Sequence, residues 1–285
     1  MRRNEFALTM PSFLWLAVFF IIPSALIILI SFRGSDSYGV LLPVWTVKAY
    51  QSLAGMHLMP VILRTVRLSL YTTVICLLLA VPAAYGMSRM SRRMQNILLL
   101  ILVVPFWTNF LIRIYAWKVL LHPDGFIKHC LVWAGFLDQG ATLLYTEGAV
   151  LLVLVYTYLP FALLPLYSAA GNFDFTLLDA GRDLGSSTLQ LVTRVYLPGI
   201  RQGIINAVLV VFIPAMGSYI IPEIVGGPSS EMLGNKIARY VFVDRNIPRA
   251  GALSGFLILM ILLPSLVSLV NRDSLAKGRK ELVQT

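Results

Sequence analysis

Six long apolar runs constrain this chain more than any other feature of its sequence. Each is about as long as the 20 residues that a helix needs to cross the hydrocarbon core of a bilayer. They lie at 11–32, 68–87, 97–121, 149–170, 204–225 and 252–270. Hydrocarbon offers no partner for backbone amides, so runs of this length must be helical, and the ten-residue alternation of a membrane barrel is absent. Because 58% of the residues are hydrophobic and 13% are charged, a soluble domain is excluded, and we predict an all-α polytopic membrane protein with six transmembrane helices.

The distribution of basic residues predicts the orientation of the spans. The net charge of +10 would be compatible with nucleic-acid binding, but the basic residues lie in loops at span ends. Under a six-span topology, one side holds the short, densely basic segments: Arg2 and Arg3; Arg89, Arg92 and Arg93; Arg272, Lys277, Arg279 and Lys280. The opposite loops carry nearly as many basic residues over longer stretches. The positive-inside rule therefore predicts that both termini are cytoplasmic, and the placement of the charges argues against nucleic-acid binding.

Catalytic and metal-binding signatures are absent from the sequence. There is no GxxxxGK[ST] loop for a nucleotide phosphate and no credible combination of nucleophile, acid and base. The three histidines have no partners at ligand spacing, and the two cysteines are not placed to pair. We therefore expect a chain that is not an enzyme and that holds no metal or cofactor of its own.

One polar stretch between two spans, TLLDAGRDLGSSTLQLVTRVYLP, predicts two short helices. Thr176 is a suitable N-cap, with Asp179 reaching back, and Gly185 can take the left-handed conformation that ends a helix. Ser187 and Gln190 repeat the cap signature for the second helix. The apolar face predicted for that helix comprises Leu189, Val192, Val195 and Tyr196, before Pro198 ends it.

This stretch resembles the EAA loop of the permeases of bacterial ABC importers, whose pattern is E-A-A-x3-G-x9-I-x-L-P. The matching residues are Asp179, Ala180, Gly181, Gly185, Val195, Leu197 and Pro198. The sequence departs from the pattern at Asp179, which keeps the charge, and at Gly181, which weakens a helix by about 1 kcal/mol relative to Ala. The resemblance implies that the first helix is a coupling helix, which docks on a cytoplasmic ATPase and transmits its closure.

The run PFWTNFLIRIYAW, from Pro105 to Trp117, has two interpretations that the residues leave open. It is compatible with an aromatic belt at the outer membrane surface. Alternatively, it is a proline-kinked helix that turns Trp107, Asn109, Tyr115 and Trp117 toward a pathway, with Arg113 held by a counter-charge.

The fifth span is the one most interrupted by proline and glycine, at Pro214, Gly217, Pro222, Gly226 and Gly227. Irregular backbone at membrane depth is tolerated only where it faces protein or a wet cavity, so this span is the candidate wall of a pathway. Glu223 is either a solvated residue past the helix end or a carboxylate that attracts a cation, beside the rings of Trp107, Tyr115, Tyr156 or Tyr219. The fourth span carries Pro160 and Pro165, which predict a bend.

The same aromatic run, the stretch VLVYTYLPFALLPLYSAA and the stretch PAMGSYIIPEIVGG are similar to the spermidine and putrescine permeases, the PotB-like branch of these importers. The resemblance implies the type I importer fold, with an anchor helix and first outer loop at 1–67, a five-helix core at 68–270 containing the EAA loop at 176–198, and a cytoplasmic tail at 271–285. It also implies a location in the bacterial inner membrane, a second homologous permease, two copies of an ATPase that uses ATP and Mg²⁺, and an extracytoplasmic binding protein. A permease for another small organic cation or solute, a secondary transporter and a membrane scaffold remain alternatives.

Overall fold

The computed structural model describes residues 2–36, 39–55 and 58–262. Most of them are helical, and the strands among them form one small hairpin. The first half contains α1 (Arg2–Leu16), a π-helical turn (Ala17–Ile21), α2 (Ile22–Ser31), β1 (Arg33–Ser35), β2 (Leu41–Trp45), α3 (Lys48–Gly55), α4 (Met59–Ser88), α5 (Arg92–Val103), a 3-10 turn (Val104–Trp107), α6 (Phe110–Leu120) and α7 (Phe126–Trp133). The second half contains α8 (Glu147–Gly171), α9 (Thr176–Asp183), α10 (Thr188–Leu191), a π-helical turn (Val192–Tyr196), α11 (Leu197–Gly199), α12 (Arg201–Met216), α13 (Ile220–Val225), a 3-10 turn (Pro228–Ser230), α14 (Leu233–Phe242) and α15 (Ile247–Leu262).

Three of the predicted spans are continuous helices in the structure. Thr9–Ser31, α4 and α8 are each long and apolar enough to cross a bilayer. Two helix pairs are bent: Arg92–Trp107 meets α6 at 92° within the third predicted span, and Thr188–Gly199, which precedes the fifth predicted span, meets α12 at 71°. The third span is thus not one straight helix, since the chain breaks at Thr108 and Asn109, as the proline-kinked alternative allowed. The apolar helix α15 begins the sixth predicted span, whose end lies outside the described residues, as does the tail at 271–285.

The described residues form two compact units, one of which is Leu63–Met232. The other contains the segments that precede and follow it. In this second unit the first outer loop is an antiparallel hairpin in which Arg33 pairs with Trp45, and the guanidinium carbon lies 4.4 Å from the centre of the Trp45 ring. The sequence did not predict this hairpin.

The long helix α8 is central to the unit 63–232. Its two halves contribute to two separate apolar clusters, one shared with α4, α9 and α12 and the other with α6 and α13. Pro160 and Pro165 lie inside α8, which nevertheless remains one helix, so the predicted bend is not a break. The close approach of α8 and α12 depends on Gly203, where an added Cβ would lie 2.4 Å from Ala169 Cβ.

We predict that Gly203→Ala separates α8 from α12 and destabilises the protein by about 1–3 kcal/mol, the usual cost of overpacking. The thermal unfolding midpoint in detergent should fall. Gly86→Ala is the matched control, because an added Cβ at Gly86 meets nothing within 4 Å and alanine favours the helix. Equal midpoints for the two variants would contradict the proposed role of Gly203.

Candidate coupling and substrate-pathway site

The polar stretch at 176–198, here called the elbow, turns at Gly185. This glycine has a φ of +80°, in the left-handed region that a residue with a Cβ rarely adopts. The amide of Gly185 donates to the Arg182 carbonyl at 2.8 Å, and the amide of Ser186 donates to the Gly181 carbonyl at 3.0 Å. This pair of bonds is a Schellman motif, so the predicted glycine turn is confirmed.

The two helix caps of the elbow differ in how well they were predicted. The capping box of Ser187 and Gln190 is confirmed, with bonds in both directions. The cap predicted at Thr176 was wrong, because its hydroxyl and amide both donate to Asp174 Oδ1, at 2.7 and 3.0 Å. These bonds lower the pKa of the Asp174 carboxyl, so this cap stabilises the elbow above the ordinary carboxyl range and is lost as the pH falls through the lowered pKa.

The buried face of the second elbow helix also differs from the prediction. Leu191 and Tyr196 are buried, whereas Leu189 and Val192 are exposed. The reason is the π-helical turn Val192–Tyr196, whose wider turn brings residues five apart onto one face. A regular helical spacing could not reveal this change of face.

Four aromatic rings join the elbow to the rest of its unit. Tyr196 lies 5.1 Å from Tyr85 of α4 and 5.3 Å from Phe173, measured between ring centres. Phe175 completes the cluster, 5.8 Å from Tyr85 and 5.3 Å from Phe173. All four contacts are edge-to-face, the arrangement that the charge distribution of aromatic rings favours. The elbow is therefore attached firmly to α4 and to the end of α8.

The opposite side of the elbow exposes apolar and charged groups together. Leu184 and Leu189, on either side of the glycine turn, are 86% and 74% exposed. Beside them, Asp179 Oδ1 accepts from Arg182 Nη1 at 3.0 Å. Large exposed leucines flanked by charges are typical of a surface that another protein covers. Of the predicted coupling residues, Asp179 and Gly185 lie on this side.

The predicted pathway residues of the third span lie around its 92° bend. Trp107 ends the 3-10 turn, and Asn109 caps α6, since its Oδ1 accepts from the Leu111 amide at 2.8 Å. The asparagine supplies the partner that the bend removes from the backbone. Tyr115 lies on α6 and is exposed.

Arg113 has no counter-charge among the described residues, since their ion pairs do not include it. Its guanidinium carbon lies 4.3 Å from the centre of the Phe106 ring and 5.8 Å from that of Phe110. Its Nε and Nη1 are buried without a hydrogen-bond partner. The expectation of an acidic partner was thus wrong for this part of the chain, and ring faces on both sides of the bend hold the charge instead.

The fifth span breaks where its glycine and prolines predicted. Helix α12 ends at Met216, and α13 starts at Ile220. Within this break the Ser218 amide donates to the Ala215 carbonyl, so the Pro214 carbonyl loses its helical donor. Tyr158 of α8 donates its hydroxyl to that carbonyl at 3.1 Å. A side chain of the neighbouring helix therefore pairs the backbone group that the break exposes.

Helix α13 carries Glu223 and is directly preceded by Tyr219. It packs against both α6 and α8, the helices that carry the remaining candidate rings. On those helices Trp117 and Tyr156 make an edge-to-face contact with 5.2 Å between ring centres. Glu223 and Tyr219 have exposed side chains. Their role in a pathway stays a prediction.

Sequence reasoning missed an ion-pair cluster between α4 and the first turn of α8. Arg64 Nε lies 3.0 Å from Glu147 Oε1, and Arg67 Nη2 contacts Glu147 Oε2. Arg64 also donates to the Glu231 carbonyl at 3.2 Å. The only sequence signal was the spacing of two arginines by three residues, which places them on one helix face; their partner is distant in the chain.

These features define a class: a multi-pass helical membrane protein with a polar elbow that exposes apolar and charged groups. A family model described as "Binding-protein-dependent transport system inner membrane component" matches residues 73–278. The chain belongs to this family. It is therefore a multi-pass inner membrane transport subunit and not an enzyme.

Similar proteins support the same assignment. The spermidine/putrescine transport system permease protein PotB of Haemophilus influenzae is 39% identical over 252 residues, 88% of each chain. The protein of the same name from Escherichia coli is 36% identical over 253 residues, 89% of this chain and 92% of its own. Two crystal structures of bacterial alginate ABC transporters share the fold at 16% identity, with TM-scores of 0.65 and 0.68. Both alignments include 93% of this chain, and they include 94% and 92% of the matched chains. The second contains a periplasmic protein bound to alginate pentasaccharide.

We predict that Arg64→Gln destabilises the protein more than Arg67→Gln does. The Arg64 side chain is 21% exposed and makes two contacts, whereas that of Arg67 is 50% exposed. A hydrogen bond to a charged group contributes about 1.5–3 kcal/mol, and an exposed pair less than about 1 kcal/mol. Thermal unfolding in detergent at low and high salt measures the difference. Equal losses would show that burial does not govern this cluster.

Proposed function

We propose that this chain is the permease subunit through which an ATP-driven importer passes polyamines, such as spermidine and putrescine. One observation carries the coupling half of this proposal: a cluster of four aromatic rings holds the elbow to α4 and to the segment that follows α8, while Leu184 and Leu189 are exposed. A surface of this kind can pass a displacement to the spans instead of absorbing it. The names of the similar permeases support the substrate half.

The proposed partner at the elbow is an ATPase, present in two copies, which binds ATP and Mg²⁺. Closure of the ATPases would push on residues 179–185 and, through Leu197 and Pro198, on the bent junction with α12. The π-helical turn Val192–Tyr196 and α11 join α10 to the 71° bend before α12, so a displacement of the elbow can reach α12 as a rigid-body movement about this bend. This arrangement requires the elbow, and hence both termini, to be cytoplasmic.

The proposed substrate pathway is the neighbourhood of α6, α8 and α13. A flexible polyammonium ion needs a carboxylate for one ammonium group and ring faces for others, each ring contributing roughly 0.5–2 kcal/mol. Glu223 is the candidate carboxylate, and Trp107, Tyr115, Tyr156 and Tyr219 are the candidate rings, with Asn109 beside them. Such a site binds weakly enough to release its substrate. Specific capture would belong to the extracytoplasmic binding protein, and a second, related permease would complete the pathway.

Reconstitution tests the assignment as a whole. The chain is combined in proteoliposomes with the candidate second permease, ATPase and binding protein, and ATP hydrolysis is measured with spermidine, putrescine and other small cations. We expect stimulation by polyamines. Stimulation by a different solute alone would replace the substrate, and uptake without the ATPase would overturn the importer mechanism.

We predict that Gly185→Val leaves the protein in the membrane but uncouples ATP hydrolysis from uptake. A β-branched residue at a φ of +80° costs about 1–2 kcal/mol, enough to reduce the population of the native turn 5- to 30-fold. Uptake and substrate-stimulated hydrolysis are measured in the same vesicles. Gly140→Val is the control, since an added Cβ there meets nothing within 4 Å. Normal stimulation in Gly185→Val would count against the coupling role.

We predict that Glu223→Gln lowers uptake by about tenfold without reducing assembly. The amide keeps the size of the side chain but loses a charge, and a charged hydrogen bond contributes about 1.5–3 kcal/mol. Uptake of labelled polyamine is compared with the amount of complex that co-purifies. Asp138→Asn makes the same chemical change in an exposed loop position and should have no effect. Unchanged uptake in Glu223→Gln would remove this residue from the mechanism.

A further inference from the structure

The short helix α7 turns an apolar stripe away from the protein. Phe126, Cys130 and Trp133 follow one another at helical spacing, and all three are exposed, Phe126 at 72% and Trp133 at 90%. On the opposite face, Ile127 packs against the apolar cluster shared by α6, α8 and α13. The inner face of α7 therefore anchors the helix, and its apolar outer face is left for a partner.

The end of α7 extends this stripe. Gly135 has a φ of +74°, and a Schellman pair of bonds closes the helix: the Gly135 amide donates to the Val132 carbonyl at 3.1 Å and the Phe136 amide to the Leu131 carbonyl at 2.9 Å. The turn directs the chain so that Phe136, which follows it, is 81% exposed. A glycine-dependent turn thus presents a second large ring close to Trp133.

A cleft of about 420 Å³ lies beside Trp133. Its lining residues are Pro123, Lys128, His129, Val132, Trp133 and Gln139. Lys128 brings a positive charge, His129 and Gln139 bring further polar groups, and none of these lining residues is acidic. A cation and hydrogen-bond donors beside exposed aromatic rings fit an amphipathic anion, with its charge in the cleft and its apolar part on the stripe.

The chain itself places α7 at a membrane surface. The helix packs against α6, which ends the bent third span, and the chain then enters α8, the next span. With 8 residues, α7 is too short to cross a bilayer, and it is too small to supply the roughly 800 Å² per partner of a standard protein interface. Tryptophan and lysine at such a level are typical of contact with lipid headgroups.

We propose that α7 is an interfacial phospholipid site. The lipid phosphate occupies the cleft at Lys128, and the acyl chains lie along Phe126, Trp133 and Phe136. The site braces the bent third span against the bilayer on the side opposite to the elbow end of α8. It depends on neither the polyamine assignment nor the coupling role, so it can fail without affecting them.

The first test uses the native thiols. Cys130 is exposed and Cys76 is buried, so a nitroxide reagent should label the full chain at Cys130, and Cys130→Ser should abolish labelling. In proteoliposomes, power-saturation EPR compares collisions with oxygen, which concentrates in lipid, and with a water-soluble nickel chelate. We expect oxygen to dominate. Dominance of the nickel chelate, or protection of Cys130 only after the binding protein is added, would overturn the lipid site.

The second test uses lipids with brominated chains, which quench tryptophan fluorescence on contact. The Trp133 signal is obtained by subtracting the spectrum of Trp133→Phe. We expect it to be quenched, with about a fivefold preference for phosphatidylglycerol over phosphatidylcholine, the effect of one lysine near an anionic surface. Lys128→Gln should abolish this preference and keep the quenching. Absence of quenching, or a loss of the preference when inorganic phosphate is added, would contradict a lipid ligand.

Discussion

The pairing of backbone polar groups in hydrocarbon is the constraint on which this structure depends. Continuous helices meet it by themselves, but two of the spans are broken, at Asn109 and between Met216 and Ile220. At each break a side chain replaces a missing partner: Asn109 accepts from a helix-start amide, and Tyr158 donates to the Pro214 carbonyl. The breaks are therefore stable features of the fold, and α6 and α13, which follow them, are packed together.

The elbow is a polar segment whose shape is fixed by its own hydrogen bonds and by aromatic contacts. Its turn is closed by hydrogen bonds around Gly185, and its π-helical turn directs Tyr196 into the aromatic cluster with Tyr85 and Phe173. Because the same turn leaves Leu189 outside, one local departure from regular helix produces both the anchored side and the exposed side. A docking element with this division of faces suits a permease that is driven by a separate subunit.

The arginines near the ends and bends of the spans also have groups that balance their charge. Glu147 receives Arg64 and Arg67 at the start of α8, and Arg113 rests on the ring of Phe106 across the bend of the third span. The Glu147 cluster connects two helices that come together only on folding, whereas Phe106 and Arg113 belong to the same span. Ring faces and a shared carboxylate reduce the free-energy cost of holding arginines close to lipid. The arginines can therefore lie at a bend and at a helix start.

The sequence by itself determined the helical membrane class, the elbow with its Gly185 turn and Ser187 cap, and the break in the fifth span, because each depends on local composition or backbone geometry. Only the tertiary structure decided that Leu191 is buried in place of Leu189, that Asp174 caps the elbow in place of Thr176, and that Arg113 faces aromatic rings. The inward face depends on a π-helical turn that no regular periodicity reports. The partner of Arg64 depends on which helices pack together, and pairing between distant segments leaves no local pattern in a single sequence. The rings that face Arg113 are close to it in sequence, but the angle of the bend at Thr108 and Asn109 decides their approach.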